Sequence, residues 1–435
     1  MLALFGTGCA SSDARPSSTP SVRPTGPVPV TLAVYGPEPV IAAYKEIAAR
    51  YTVAHPTVKI VVQPYATHDA AMAALQSSTA KGDPPDVFLM DHDDLAGLNA
   101  QKAVRRVDDL LAAREVDFGD GFTRNGLEAF SSDAALQCMP TDVSPLVVYY
   151  NPKLIELDRI ADPGRNPVTP KDGWSLDEFG RAAIQARRPG VRGLYVAPTL
   201  EQVAPFIWSG GGDVVDDTDH PTTLTLAEGP SASAMEKLLE LVRNPALTFN
   251  ENALRSSSAL DRFKDGRLGM ILGYRSLTPV LRAQQSLTFD VMPIPKVSSG
   301  ATIGSMSGMC ISSKSGNIPQ AADFLTQVIS HESASTLAAT GYVVPSNIDV
   351  INSEAFLQGG QRPLNSDVFP REVRDARLLP STPEWAKVAG ATALQLTQLF
   401  YDPVILPLQD RLAAIDAASV PLLQPPPSAS PSPTN

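Results

Sequence analysis

Apolar and polar residues alternate at the start of Val30-Thr31-Leu32-Ala33-Val34-Tyr35 and then merge into an apolar run, the pattern of a buried strand. Beyond Gly36-Pro37-Glu38 the period changes. Val40, Ile41, Tyr44, Ile47, Ala48 and Tyr51 recur at helical spacing, which predicts a helix packed by one face, and His55-Pro56 stops it. Val58 to Val62 predicts a second strand. Strand, helix, strand in that order is a right-handed βαβ unit of a mainly parallel sheet. The loop at Gly36 to Glu38 therefore lies at the carboxyl end of a strand, where open α/β sheets bind ligands. A helix over about His68 to Ala80 and a strand at Val87 to Met90 repeat the scheme and set Asp91-His92-Asp93-Asp94 at a second carboxyl end. Asp91 and Asp93 there serve one of two ends, capping a helix that begins near Asp93 or contacting a ligand.

The stretch Met139 to Asn151, MPTDVSPLVVYYN, runs from a Pro-bounded turn through Asp142 and Ser144 into the apolar run Leu146 to Tyr150. It divides the chain into two α/β halves. Downstream, Ser175 followed three residues on by Glu178 reads as a capping box opening a helix. Pro205 to Asp213 reads as a helix ending in glycines, and helical spacing returns over Ala232 to Val242. The prolines of Phe289 to Pro295 restrict that strand to an edge or a terminus. Trp385 to Leu399 is an amphipathic helix, and Pro403 to Leu423 a last element. Ala10 to Pro29 and the tail from Gln424 are too rich in Ser, Thr, Pro and Gly to bury a core.

Composition narrows the class. A chain of 435 residues, 43% hydrophobic and 19% charged, has room for two ordinary globular domains. Its net charge of −11 argues against nucleic acid as a partner, and no apolar run of 18 residues predicts a transmembrane helix. Three cysteines are too few for a disulfide scaffold and too far apart for a zinc site, so neither metal nor cofactor is expected. His55, His68, His92, His220 and His331 lack metal spacing, and the chain has neither a G-x-S-x-G elbow nor a P-loop. An enzyme is not expected. His92 between aspartates has the only suggestive setting, and a lone histidine there is more often a solvated loop residue.

Six motifs in this order carry a family resemblance: Gly82-x-Pro84-Pro85-Asp86-Val87, Met139 to Asn151, Trp174-x-x-Asp177-Glu178-Phe179, Gly211-Gly212-Asp213, Phe263-x-x-Gly266-x-x-x-Met270 and Gly304 to Ser313. Together they resemble the bacterial extracellular solute-binding proteins of family 1, the maltose-binding-protein-like sugar-binding lipoproteins that feed ABC importers. The resemblance implies a type II, two-lobed α/β fold, each lobe a mainly parallel sheet flanked by helices and joined by hinge crossover strands. Lobe I would comprise residues 30–142 and 308–345, and lobe II 143–307 and 346–423. Residues 1–29 would be a leader and disordered tether, and 424–435 a disordered tail. Met139 to Asn151 and Gly304 to Ser313 would be the crossovers, with Gly308 suited to a hinge, and Thr340 to Ser346 the final return.

It also implies a ligand set: Glu38, Asp91 and Asp93 from the first lobe, Ser144 at the crossover, and Trp208, Tyr274, Arg275 and Trp385 from the second. Core packing competes with this role for Trp208 and Trp385, whereas Trp174 is expected in the core. Aromatics are only 6% of the chain, and Met90 stands where some sugar binders have an aromatic. A mono- or disaccharide, or a glycerol-based phosphodiester, is then expected over a large oligosaccharide. Cys138 and Cys310, on the two crossovers, either form a disulfide or remain two buried thiols. Cys9, after Leu2 to Phe5 and Gly6-Thr7-Gly8, resembles a lipobox cysteine; the short segment before it implies a true start further upstream, and an incidental cysteine is the alternative. The implied protein is a monomer, lipid-anchored to the outer face of the cytoplasmic membrane, that captures solute and delivers it to the transmembrane subunits of an ABC permease. The alternative is a lipoprotein of the same fold that senses a ligand or acts as a scaffold without transport.

Overall fold

A computed structural model describes residues 26–403 and 407–424. Cys9 and the tail beyond Gln424 lie outside the described residues. Two mixed sheets carry the chain. The first contains β1 (Val28–Tyr35), β2 (Val58–Tyr65), β3 (Val87–Asp91), β4 (Val104–Arg105) and β5 (Met139–Pro145). The second holds β6 (Val147–Tyr150), β7 (Arg192–Tyr195), β8 (Leu268–Gly273) and β9 (Asp290–Met292). The chain then returns to the first sheet through β10 (Thr302–Ser312) and β11 (Ala376–Arg377). The first sheet has the order β11-β10-β3-β1-β2, with β4 and β5 also paired to β10; the second has the order β9-β6-β8-β7.

β1 runs parallel to β2 and β3, as the βαβ pattern requires. The returning β10 is antiparallel to β3, β4 and β5, and β6 is antiparallel to both its neighbours. Both sheets are therefore mixed, because a strand that crosses from one sheet to the other enters against the local direction. β1 begins at Val28, inside the stretch expected to be tether, and β9 stops before Pro293 at its sheet's edge.

The expected helices form for the expected reasons. In α1 (Glu38–Ala54) the six apolar residues of the stripe are buried, and α2 (His68–Lys81) starts on Thr67 and ends at Gly82 with φ +79°. Ser175 and Glu178 complete the capping box of α3 (Leu176–Ala186), and the fully buried Trp174 donates its indole N–H to the Pro293 carbonyl at 2.8 Å. The helices α4 (Leu200–Ser209), α5 (Trp385–Tyr401) and α6 (Leu408–Leu423) complete the part needed below.

The apolar run at residues 146–150 is explained by burial on both faces. Val147 and Tyr149 join the core that continues from the first sheet, while Val148 and Tyr150 join the core behind the second. Chain crossing happens at Pro145-Leu146, where the Leu146 N–H donates to the Ile303 carbonyl at 2.8 Å. A third segment closes the junction: the Asp142 carboxylate accepts from the Val344 N–H at 2.7 Å and from Ser144 Oγ at 2.7 Å. Desolvation pushes the half-buried Asp142 carboxyl up to about 7. Ser307 pairs with Asp142 but Gly308 with Pro140, so Thr141 is a surplus residue and β5 carries a bulge. Beside the bulge, Cys138 and Cys310 are joined in a disulfide with a Cα–Cα distance of 4.5 Å.

Candidate functional site

Between the lobes lies a cleft of about 760 Å³. Strand ends supply its floor and helix starts its walls. From the first lobe come the carboxyl end of β3, Asp91 to Asp94, and one face of α2: His68, Met72, Leu75, Gln76 and Thr79. That face repeats at the helical period. From the second come Thr199 and Glu201 at the start of α4, Tyr274 just past β8, and Trp385 opening α5; Ser305 and Met306 of β10 lie between the lobes.

Of the sequence-derived candidates, Asp91, Asp93, Tyr274 and Trp385 line this cleft together, and Trp385, like Trp208, is otherwise buried in the core behind the second sheet. The structure puts four others elsewhere. Glu38 is exposed in the first turn of α1, where a carboxylate favours the positive helix end. Ser144 is buried and spends its hydroxyl on Asp142. Trp208 is packed in the core, with the Arg377 guanidinium 4.6 Å from its ring centroid and Arg377 in turn paired with Asp213. Gly212 belongs to this corner, not to a ligand contact, since a Cβ there would sit 2.4 Å from Ser231 Oγ. Arg275 points away from Tyr274 into the core with no exposed surface. It bonds Ser366 Oγ at 3.2 Å and the Phe356 carbonyl at 3.1 Å. The partner that a buried arginine demands is thus neutral.

Residues that the sequence reading missed either belong to the polar wall, as His68, Asp94 and Glu201 do, or hold it from behind, as Tyr35 and Ser307 do. Tyr35 and Ser307 both donate to Asp91 Oδ1, Ser307 at 2.6 Å. His68 Nε2 lies 2.6 Å from Asp94 Oδ2 and 3.9 Å from Asp91 Oδ2. The hydrogen bond to Asp94 and the surrounding carboxylates push the imidazole up to about 9. Because that value lies above the ordinary 6.5, the pair's stabilisation is complete below pH 6.5 and fades as pH rises towards about 9. Wild type is therefore expected to lose stability relative to His68→Asn over this window. Equal losses for the two in chemical denaturation at its two ends would show that the pair contributes nothing. Tyr274 donates to Glu201 Oε1 at 2.5 Å, and burial together with Glu201 and Asp93 holds its phenol well above the usual range.

Among the described residues no cluster of three or more His, Cys, Asp or Glu side chains could hold a metal ion, and no helix is long and apolar enough to cross a membrane. The arrangement is suited to binding a polar ring: Tyr274 and the largely buried Trp385 border it beside carboxylates, hydroxyls and amides on opposing walls.

The model of the family described as bacterial extracellular solute-binding protein matches residues 46–363. No curated protein sequence matches the chain. Among solved structures, the sugar-binding protein MalE of Xanthomonas citri superposes with a TM-score of 0.77 at 13% identity, covering 91% of this chain and 97% of that one. An ABC substrate-binding protein of Listeria monocytogenes in complex with cycloalternan gives 0.74 at 18% identity over 90% and 98%. The GacH receptor of Streptomyces glaucescens, solved unliganded and with acarbose, gives 0.73 at 18% over 92% and 99%. At these identities the likeness is one of fold, the two-lobed binding-protein architecture.

Proposed function

Because the chain belongs to the bacterial extracellular solute-binding proteins, we propose that its cleft captures a small carbohydrate outside the cytoplasmic membrane and hands it to the transmembrane subunits of an ABC permease. The observation that carries this reading is the pairing of Trp385 and Tyr274 with carboxylates from the facing strand end in one cleft of small-molecule size. Aromatic faces stack on the apolar face of a pyranose while carboxylates and amides take its hydroxyls. Saccharides in the structures of fold neighbours, cycloalternan and acarbose, support the class. A glycerol-based phosphodiester loses support, since no Lys or Arg is among the residues lining the cleft. Lipid attachment at Cys9 would hold the chain at the outer face of the membrane. Solute contacts both walls only when the lobes are shut, so its differential affinity drives closure.

The test is the ligand-induced thermal shift of wild type and Trp385→Ala across mono- and disaccharides. Loss of one buried aromatic face is expected to cost about 1.5–3 kcal/mol of binding, compared as ligand-induced shifts so that any effect on the unliganded fold cancels. A flat response of wild type to every saccharide would sink the reading.

A further inference from the structure

The charge of the cleft points to a narrower cargo. Asp91, Asp93, Asp94 and Glu201 line it, and only His68 and His92 among the lining residues can carry positive charge. His68 is committed to Asp94, and Asp91 Oδ1 to Tyr35 and Ser307. Two carboxylates remain for a ligand. The Asp93 side chain is 77% exposed, with His92 Nδ1 3.6 Å away. Glu201 accepts a single hydrogen bond among the described residues, from Tyr274 to Oε1.

These two come from opposite lobes. Asp93 follows β3 of the first sheet, whereas Glu201 sits in the first turn of α4, between two strands of the second. Tyr274, whose hydroxyl bonds Glu201, lines the same cleft as Asp93. Closing the cleft brings two anions towards each other, at a cost that grows as water is expelled. A cation held between them reverses the sign, because it is attracted to each wall in turn. Neutral sugars leave the repulsion in place, and anionic ones add to it.

Building on the carbohydrate reading, we propose that the solute is an amine-bearing saccharide whose protonated nitrogen sits between Asp93 and Glu201, so that its charge drives closure. Hydroxyls of the same ring would meet the remaining polar wall, with Tyr274 and the rim of Trp385 bordering its apolar face.

Calorimetric titration of the full chain with matched sugars tests this: a neutral mono- or disaccharide, its amino-deoxy form, the N-acetylated amine and a sugar phosphate, each at low and high salt. The amino-deoxy form is expected to bind about tenfold or more tighter than its neutral and N-acetyl counterparts. Added salt shrinks that ratio, and the sugar phosphate binds weakest. Asp93→Asn combined with Glu201→Gln is expected to bring the amine and N-acetyl forms to equal affinity. Equal or weaker binding of the amine by wild type overturns the inference and leaves the carbohydrate reading standing. Binding of no saccharide at all overturns both.

Discussion

Arg275→Ala is expected to destabilise the protein by about 3–5 kcal/mol, measured as a shift of the denaturant midpoint. The side chain has no exposed surface and, among the described residues, no carboxylate partner. Its guanidinium lies 4.6 Å from the ring centroid of Phe356 and 5.2 Å from that of Phe369, with two hydrogen bonds to neutral oxygens. Burial lowers its pKa to about 10, so it stays charged at neutral pH, and among the described residues Nε has no partner. Truncation removes the volume between two phenyl rings and strands the Phe356 carbonyl. Arg275→Met keeps much of the volume and removes the cost of burying a charge, so it should lose markedly less. Equal losses for the two would show that charge and stacking, not volume, hold this corner. A loss below about 1 kcal/mol for alanine would contradict the packing account altogether.

The disulfide should have the other large effect. Cys138 and Cys310 are fully buried and 172 residues apart in sequence, and the loop-entropy relation for that length gives about 5 kcal/mol as the upper end of the stabilisation. Cys138→Ala/Cys310→Ala is expected to unfold at clearly lower denaturant than the oxidised wild type, and wild type unfolded with reductant should match it. Solute affinity should stay unchanged, because the cross-link ties two strands of the first sheet and touches neither wall of the cleft. Coincident midpoints for oxidised and reduced protein would show that the bond adds nothing to stability.

What could be read from the sequence follows from how locally each feature is determined. β1, α1 and β2 are set by periods and breakers within a few residues, and the capping box by one turn, so these formed as expected. Strand carboxyl ends could be located, and with them Asp91, Asp93 and Tyr274. Direction is not local. Whether a residue at a strand end faces cleft or core depends on the element that packs above it, so Tyr274 reached the cleft and its neighbour Arg275 turned into the space beneath Phe356 and Phe369. His68 and Glu201 were missed for the same reason. Each opens a helix, and only the placement of the opposite lobe makes that start part of a wall. For α2 a signal was available, since His68, Met72, Leu75, Gln76 and Thr79 mix polar and apolar types along a single helical face. A face buried in the core would not.

Thr141 gives the crossing an unusual kind of sensitivity. Before it, Met139 faces Met309 and Pro140 faces Gly308; after it, Asp142 faces Ser307 and Ser144 faces Ser305. Cys138 and Cys310 pin the first half, and because Thr141 faces no residue of β10, its removal would close the bulge and leave the pairs on both sides in register. Beyond the bulge there is no such slack, and a residue removed between Asp142 and Pro145 would send the side chains after it to the other sheet face. The register of the crossing past Thr141 is thus encoded in a count of residues more than in their identity. Substitution along this strand is a matter of degree, whereas insertion or deletion beyond the bulge is a change of parity.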